Sequence, residues 1–208
     1  MQHLITRRRF LRGAGLALGA ATLAPALLAD AMAAVPSPRI RLREALRGLD
    51  TRVDAALLRR LAGAEAEALL TEIASDRSED GRIRMRAVAS LTALGSEEAV
   101  VRLRAIERSA GMAQRLRWHA RHGAVAALGQ RDPARALGLA AGWQADSDPL
   151  LREAPIRALR HLPADAALAE PVRGAFAALL ARADRDADTR VRNAARAVRR
   201  ARQSGRPK

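Results

Sequence analysis

A five-residue pattern recurs along this chain and constrains its fold more than any other feature. Asp80-Gly-Arg-Ile83-Arg84, Asp148-Pro-Leu-Leu151-Arg152 and Asp188-Thr-Arg-Val191-Arg192 all read Asp, two variable residues, an aliphatic, then Arg. Ala113-Gln-Arg-Leu116-Arg117 keeps the pattern without the acid, and Asp50-Thr-Arg-Val53-Asp54 keeps it with Asp in place of Arg. The copies start at 50, 80, 113, 148 and 188, so they are 30, 33, 35 and 40 residues apart. Self-similarity of this period belongs to arrays of small units, none of which can bury its apolar face alone.

Each copy has the chemistry of a helix start. Asp accepts hydrogen bonds from the free amides of a first turn and suits the positive end of the helix dipole. Pro149 falls where a missing amide hydrogen costs nothing. Apolar residues then follow at spacings of three and four: Ile83, Ala87, Leu91, Leu94 in one copy, Leu151, Pro155, Leu159, Leu162 in another, and Val191, Ala195, Val198 in the last. Pro155 should kink its helix near Arg152. Second helices are expected at 65–75, 97–108, 133–142 and 171–182, with Gly63, Gly95, Gly129 and Pro163 at the turns.

Aromatic residues make up only 2% of the chain, so its apolar content is mostly aliphatic and small. Such residues suit close helix–helix packing better than a β-sandwich. The expected fold is all-α: about four to five helical hairpins stacked over residues 50–202, preceded by a segment 34–49 and followed by a basic tail 203–208.

These motifs resemble the HEAT-like repeat family, including the short repeats of bilin lyases, over about 50 to 202. The resemblance implies an α-solenoid that acts as a protein-binding scaffold. It also implies that Asp80, Arg84, Asp148, Arg152, Asp188 and Arg192 form a structural ladder between neighbouring repeats, interrupted where Ala113 and Asp54 break the pattern. It does not imply lyase activity, because there is no cysteine to share with a bilin.

The N-terminus carries an address. Thr6-Arg7-Arg8-Arg9-Phe10-Leu11-Arg12 resembles a twin-arginine export signal, with Arg7, Arg8, Phe10 and Leu11 at the defining positions. The apolar run 13–28 has 16 residues, four of them Gly or Pro, which is short of the roughly 20 that a spanning helix needs. The small residues Ala31 and Ala33 place the expected cleavage before Ala34, with Ala29-Asp30-Ala31 as the second choice. The resemblance implies a periplasmic protein, residues 1–33 being a removable signal and the export machinery a transient partner. With no cysteine, disulfides, c-type haem attachment and iron–sulfur clusters are excluded.

The formal charge is +15, and about +12 without the first 33 residues; Lys208 is the only lysine. An acidic partner would explain the excess. So would an arginine-rich genome composition, since much of the arginine alternates with acids, as in Glu97, Glu98, Arg102, Arg104, Glu107 and Arg108. From 188 onward eight basic residues face Asp188 alone, suiting either a polar cap or contact with an anionic membrane surface. Nucleic acid is not expected, because the patch lacks aromatic interleaving.

The unit at about 113–143 departs most from the repeat and holds both tryptophans. Trp118, Trp143, His119 and His122 are therefore the candidate partner surface, with repacked core as the alternative. No metal is expected: His119 and His122 lie three apart, and nothing in the sequence brings His161 to them. No cofactor and no catalytic set is read either, in the absence of Gly-x-Ser-x-Gly, His-Glu-x-x-His or a phosphate-binding glycine loop. A partner surface is expected along the second helices, through Glu65, Glu72, Arg102, Arg135, Arg173 and Phe176. The alternative function, motivated by the export route, is an accessory to an exported redox enzyme linked to a cofactor or metal.

Overall fold

The structure, a computed structural model, describes residues 36–48 and 53–204. The export motif, the cleavage residues, Asp50 and the last four residues lie outside the described part. Among the described residues the fold is all-helical, with no strand. The helices are α1 (Pro38–Arg47), α2 (Ala55–Ala62), α3 (Ala66–Ser75), α4 (Gly81–Leu94), α5 (Glu97–Arg108), α6 (Gln114–Gly129), α7 (Pro133–Gly142), α8 (Pro149–Ala158), α9 (Glu170–Asp184) and α10 (Thr189–Ser204).

Local chemistry explains most of the helix starts. The carboxylates of Asp80, Asp148 and Asp188 accept first-turn amide hydrogen bonds from Arg82, Leu150 and Arg190 at 2.7–2.9 Å. Asp54 does the same for Leu57 at 2.8 Å, so that copy starts its helix from its fifth residue. The hydroxyl of Ser96 and the carboxylate of Asp132 start α5 and α7 in the same way. Gly63 and Gly95 end α2 and α4 with positive φ, a conformation that costs most other residues free energy. Gly129, expected to make a turn, is instead the last helical residue of α6. A Cβ there would lie 3.2 Å from the His161 carbonyl oxygen, so glycine permits close approach.

The apolar stripes face inward. Ile83, Ala87, Leu91, Leu94, Leu151, Leu159, Leu162, Val191, Ala195 and Val198 are all buried. Helices α4, α6, α8 and α10 pack each on the next, as α3 does on α5 and α7 on α9. Close approach of α4 and α6 rests on Gly123, where a Cβ would meet the Thr92 hydroxyl at 2.2 Å.

The stretch 34–49 was expected to precede the array, yet it contains α1, which packs on α2, α3 and α4 through Leu42 and Leu46. Ser37 and Pro38 are the local signal: a hydroxyl that caps the first turn, then proline inside it.

Candidate functional site

Two apolar grooves flank α7. One lies between α7 and α9, holds about 300 Å³ and is lined by Leu137, Gly138, Ala141, Val172, Ala175 and Leu179. The other holds about 250 Å³ and is lined by Val100, Arg104, Leu128, Arg135, Gly138 and Leu139. Gly138 belongs to both, and a Cβ built on it meets nothing within 4 Å. Small residues at Ala134, Gly138 and Ala141 follow helical spacing and keep this face of α7 low. Val101, on α5, leaves 51% of its surface exposed.

The charged rim is mostly self-neutralised. Arg102 pairs with Glu98, Arg131 and Arg135 with Glu97, and Arg173 with Glu170. Glu72 pairs with Arg39. Arg104 is the exception: its Nε is buried without a hydrogen-bond partner, and no carboxylate pairs with it among the described residues. Phe176, expected on the open surface, is only 6% exposed and lies beneath the Arg202 guanidinium, 4.5 Å from its ring centre. The apolar face of α9 turns it into the core.

The candidate residues of the 113–143 unit divide between two places. On α6, Trp118 stacks on His122 with ring centres 5.3 Å apart, and His119 meets Trp118 edge-on at 4.9 Å. His161, which the sequence did not bring near them, stands 5.6 Å from His122, because the turn after α8 packs against the end of α6. Burial, then the neighbouring His161 and Arg160, lowers the His122 pKa to about 4. Among the described residues no group of three His, Asp or Glu side chains converges on one point as a metal site would require. Trp143 lies elsewhere. It covers the Arg121 guanidinium, 5.1 Å from its ring centre, and packs against buried core residues of both the N-terminal and the C-terminal halves of the array.

Arg121 organises a buried ionic network that the sequence reading missed. It donates to Glu107 at 2.6 and 2.9 Å, to Asp146 at 2.6 Å and to the Leu151 carbonyl at 3.2 Å. Arg117 supplies a second cation beside Glu107. Burial pushes the Asp146 carboxyl up, but the Asp148 amide and Arg121 together hold it below its ordinary value.

The ladder residues cap helix ends, and two of them, Arg152 and Asp148, also reach across units, to partners outside the six. Arg84 donates to the Ala74 carbonyl, closing the end of α3. Arg152 donates to the carbonyls of Asp146 and Ser147, and Arg192 to those of Asp186 and Ala187. The carboxylate that Arg152 meets in the next unit is Asp186, at 2.8 and 2.9 Å, not Asp188. The Arg152 hydrogen bond lowers the Asp186 pKa. Asp148 accepts instead from Gln114 of the preceding unit. A signal was present: Asp146 and Asp186 each sit two residues before a capping Asp and accept its amide. Comparison with protein-family models and with curated proteins finds no match.

Proposed function

We propose that this chain is an exported α-solenoid of HEAT-like helical hairpins that binds a partner protein along its second helices, centred on the two grooves beside Gly138. The packing of α4, α6, α8 and α10 in order, with α3 on α5 and α7 on α9, supports the solenoid reading. The paired grooves carry the binding reading. They are apolar, they share a glycine ridge, and their rim arginines, Arg104 apart, are neutralised by local acids. A ridge of Gly and Ala lets a partner helix approach closely. The periplasm is the expected location, reached with the export machinery as a passing partner. A binding role is favoured over catalysis because the buried carboxylates Glu107 and Glu153 are held by arginines.

The test uses the full chain with a photo-crosslinking residue at Gly138 or, as a control, at Arg82 on α4. One dominant protein adduct from Gly138, lost on Ala134→Trp and absent from Arg82, is the expected result. Equal labelling from both positions, or none, overturns the reading. Replacing Arg7 and Arg8 with lysine should leave the chain in the cytoplasmic fraction. Export that continues unchanged overturns the address.

A further inference from the structure

The last described helix divides its arginines into two sets of three. Helix α10 has Arg190, Arg192, Arg196, Arg199, Arg200 and Arg202, and no carboxylate of its own. Arg192 donates to the carbonyls before the helix, Arg199 pairs with Asp184, and Arg202 pairs with Asp165 over Phe176. These three flank the buried stripe of Val191, Ala194, Ala195 and Val198 and fasten the helix to the body. Arg190, Arg196 and Arg200 are exposed and have no ion pair or side-chain hydrogen bond among the described residues. At 100° per residue, Arg196 and Arg200 project opposite the buried stripe and Arg190 sits at its shoulder.

We infer that the outer face of α10 is a contact surface for the anionic headgroups of a phospholipid bilayer. Among the described residues the helix packs mainly on α8, α9 and the turn after α8, and Arg190, Arg196 and Arg200 are left exposed to solvent. The three free cations lie on a rigid helix and span about 15 Å along its axis. None of the grooves described above is lined by them, so they present open, solvent-facing cations and not a pocket for a small anion. Asn193, Ala197 and Ala201 between them offer no aromatic ring on which a nucleobase could stack. Long, unpaired arginines spread over the outer half of one helix fit a plane of negative charge, where each arginine near the surface strengthens binding by roughly fivefold. Composition alone could not distinguish this face, because the fold already engages half the arginines of the helix, two in ion pairs and one with backbone carbonyls.

The absence of cysteine makes the test direct. Asn193→Cys in the full chain accepts a single fluorophore on the proposed face, and Ser109→Cys serves as a distant control. Vesicles of phosphatidylglycerol and phosphatidylethanolamine carrying a headgroup quencher are compared with phosphatidylcholine vesicles. Quenching at 193 and not at 109, on the anionic vesicles only, is the expected result. Arg190→Gln/Arg196→Gln/Arg200→Gln should abolish it. Arg59→Gln/Arg60→Gln/Arg108→Gln, which removes the same charge from other exposed unpaired positions, should retain it. Circular dichroism checks that both triples fold. Chain that sediments with the vesicles while position 193 stays unquenched overturns the inference, because another segment would then hold the membrane. So does equal loss in the two triples, which would reflect net charge alone. Binding to soluble polyphosphate without binding to vesicles would reassign the face to a dissolved polyanion.

Discussion

Arg121 donates to the carbonyl of Leu151, the one carbonyl in α8 that Pro155 leaves without its helical partner. Proline has no amide hydrogen, so the hydrogen bond from residue 155 back to residue 151 cannot form. A buried carbonyl without a partner costs about 1–3 kcal/mol. Here a guanidinium from α6 supplies the donor while it also binds Glu107 and Asp146. The proline in one unit and the buried arginine of the preceding unit therefore form a single arrangement.

Removing that arginine should be severe. Arg121→Met leaves Glu107 buried and the Leu151 carbonyl bare, and should lower the unfolding free energy by about 3–5 kcal/mol. Urea denaturation followed by circular dichroism measures it. In the double variant with Glu107→Gln the loss should be clearly smaller than the sum of the two single losses. Strict additivity would mean that the two groups do not act together.

Two glycine substitutions should move stability in opposite directions. Gly138→Ala adds a methyl group in open space within a helix, and should stabilise by up to about 1 kcal/mol. Gly123→Ala gains the same helix propensity but drives a Cβ into Thr92 where α4 and α6 touch, and should destabilise by about 1–3 kcal/mol. Thermal unfolding of the two variants beside the parent gives both signs in one experiment.

Mild acid should weaken the fold before its carboxylates protonate. His122 is neutral in the folded chain down to about pH 4, whereas an unfolded histidine takes up its proton near 6.5. The unfolded state then binds more protons between these values. Stability is complete above about pH 6.5 and falls as pH drops toward 4, by about 3 kcal/mol in all. His119 and His161, also lowered by burial, add to the same slope. Asp146 and Asp186, held low, lose their contribution only below the ordinary carboxylate range. His122→Phe, which keeps a ring beside Trp118, should flatten the slope between pH 6.5 and 4; an unchanged slope would place the titration elsewhere.

The Arg152–Asp186 pair should outweigh the surface pairs. Its side chains are 14% and 11% exposed, and its two hydrogen bonds are parallel. A double-mutant cycle should give a coupling of about 1–3 kcal/mol that is nearly insensitive to salt. The exposed Arg102–Glu98 pair within one helix should give about 0.3–0.5 kcal/mol and fade as salt rises.

Most helix starts and the inward face of the repeated apolar stripes could be read from the residues alone. A capping carboxylate acts within one turn, and an apolar stripe needs only a spacing of three and four, so Asp80, Asp148, Asp188 and the Ile83–Leu94 stripe were legible without neighbours. The missed start of α1 was legible too, in Ser37 and Pro38. Tertiary structure alone decided which groups meet between helices. Arg152 finds Asp186 instead of Asp188, His161 reaches His122, and Arg121 gathers Glu107, Asp146 and Leu151. Each depends on how one helix is shifted and turned against the next by a few ångströms, a quantity no single segment encodes. The grooves beside Gly138 and the free cations Arg190, Arg196 and Arg200 arise in the same way, from what the packing leaves uncovered.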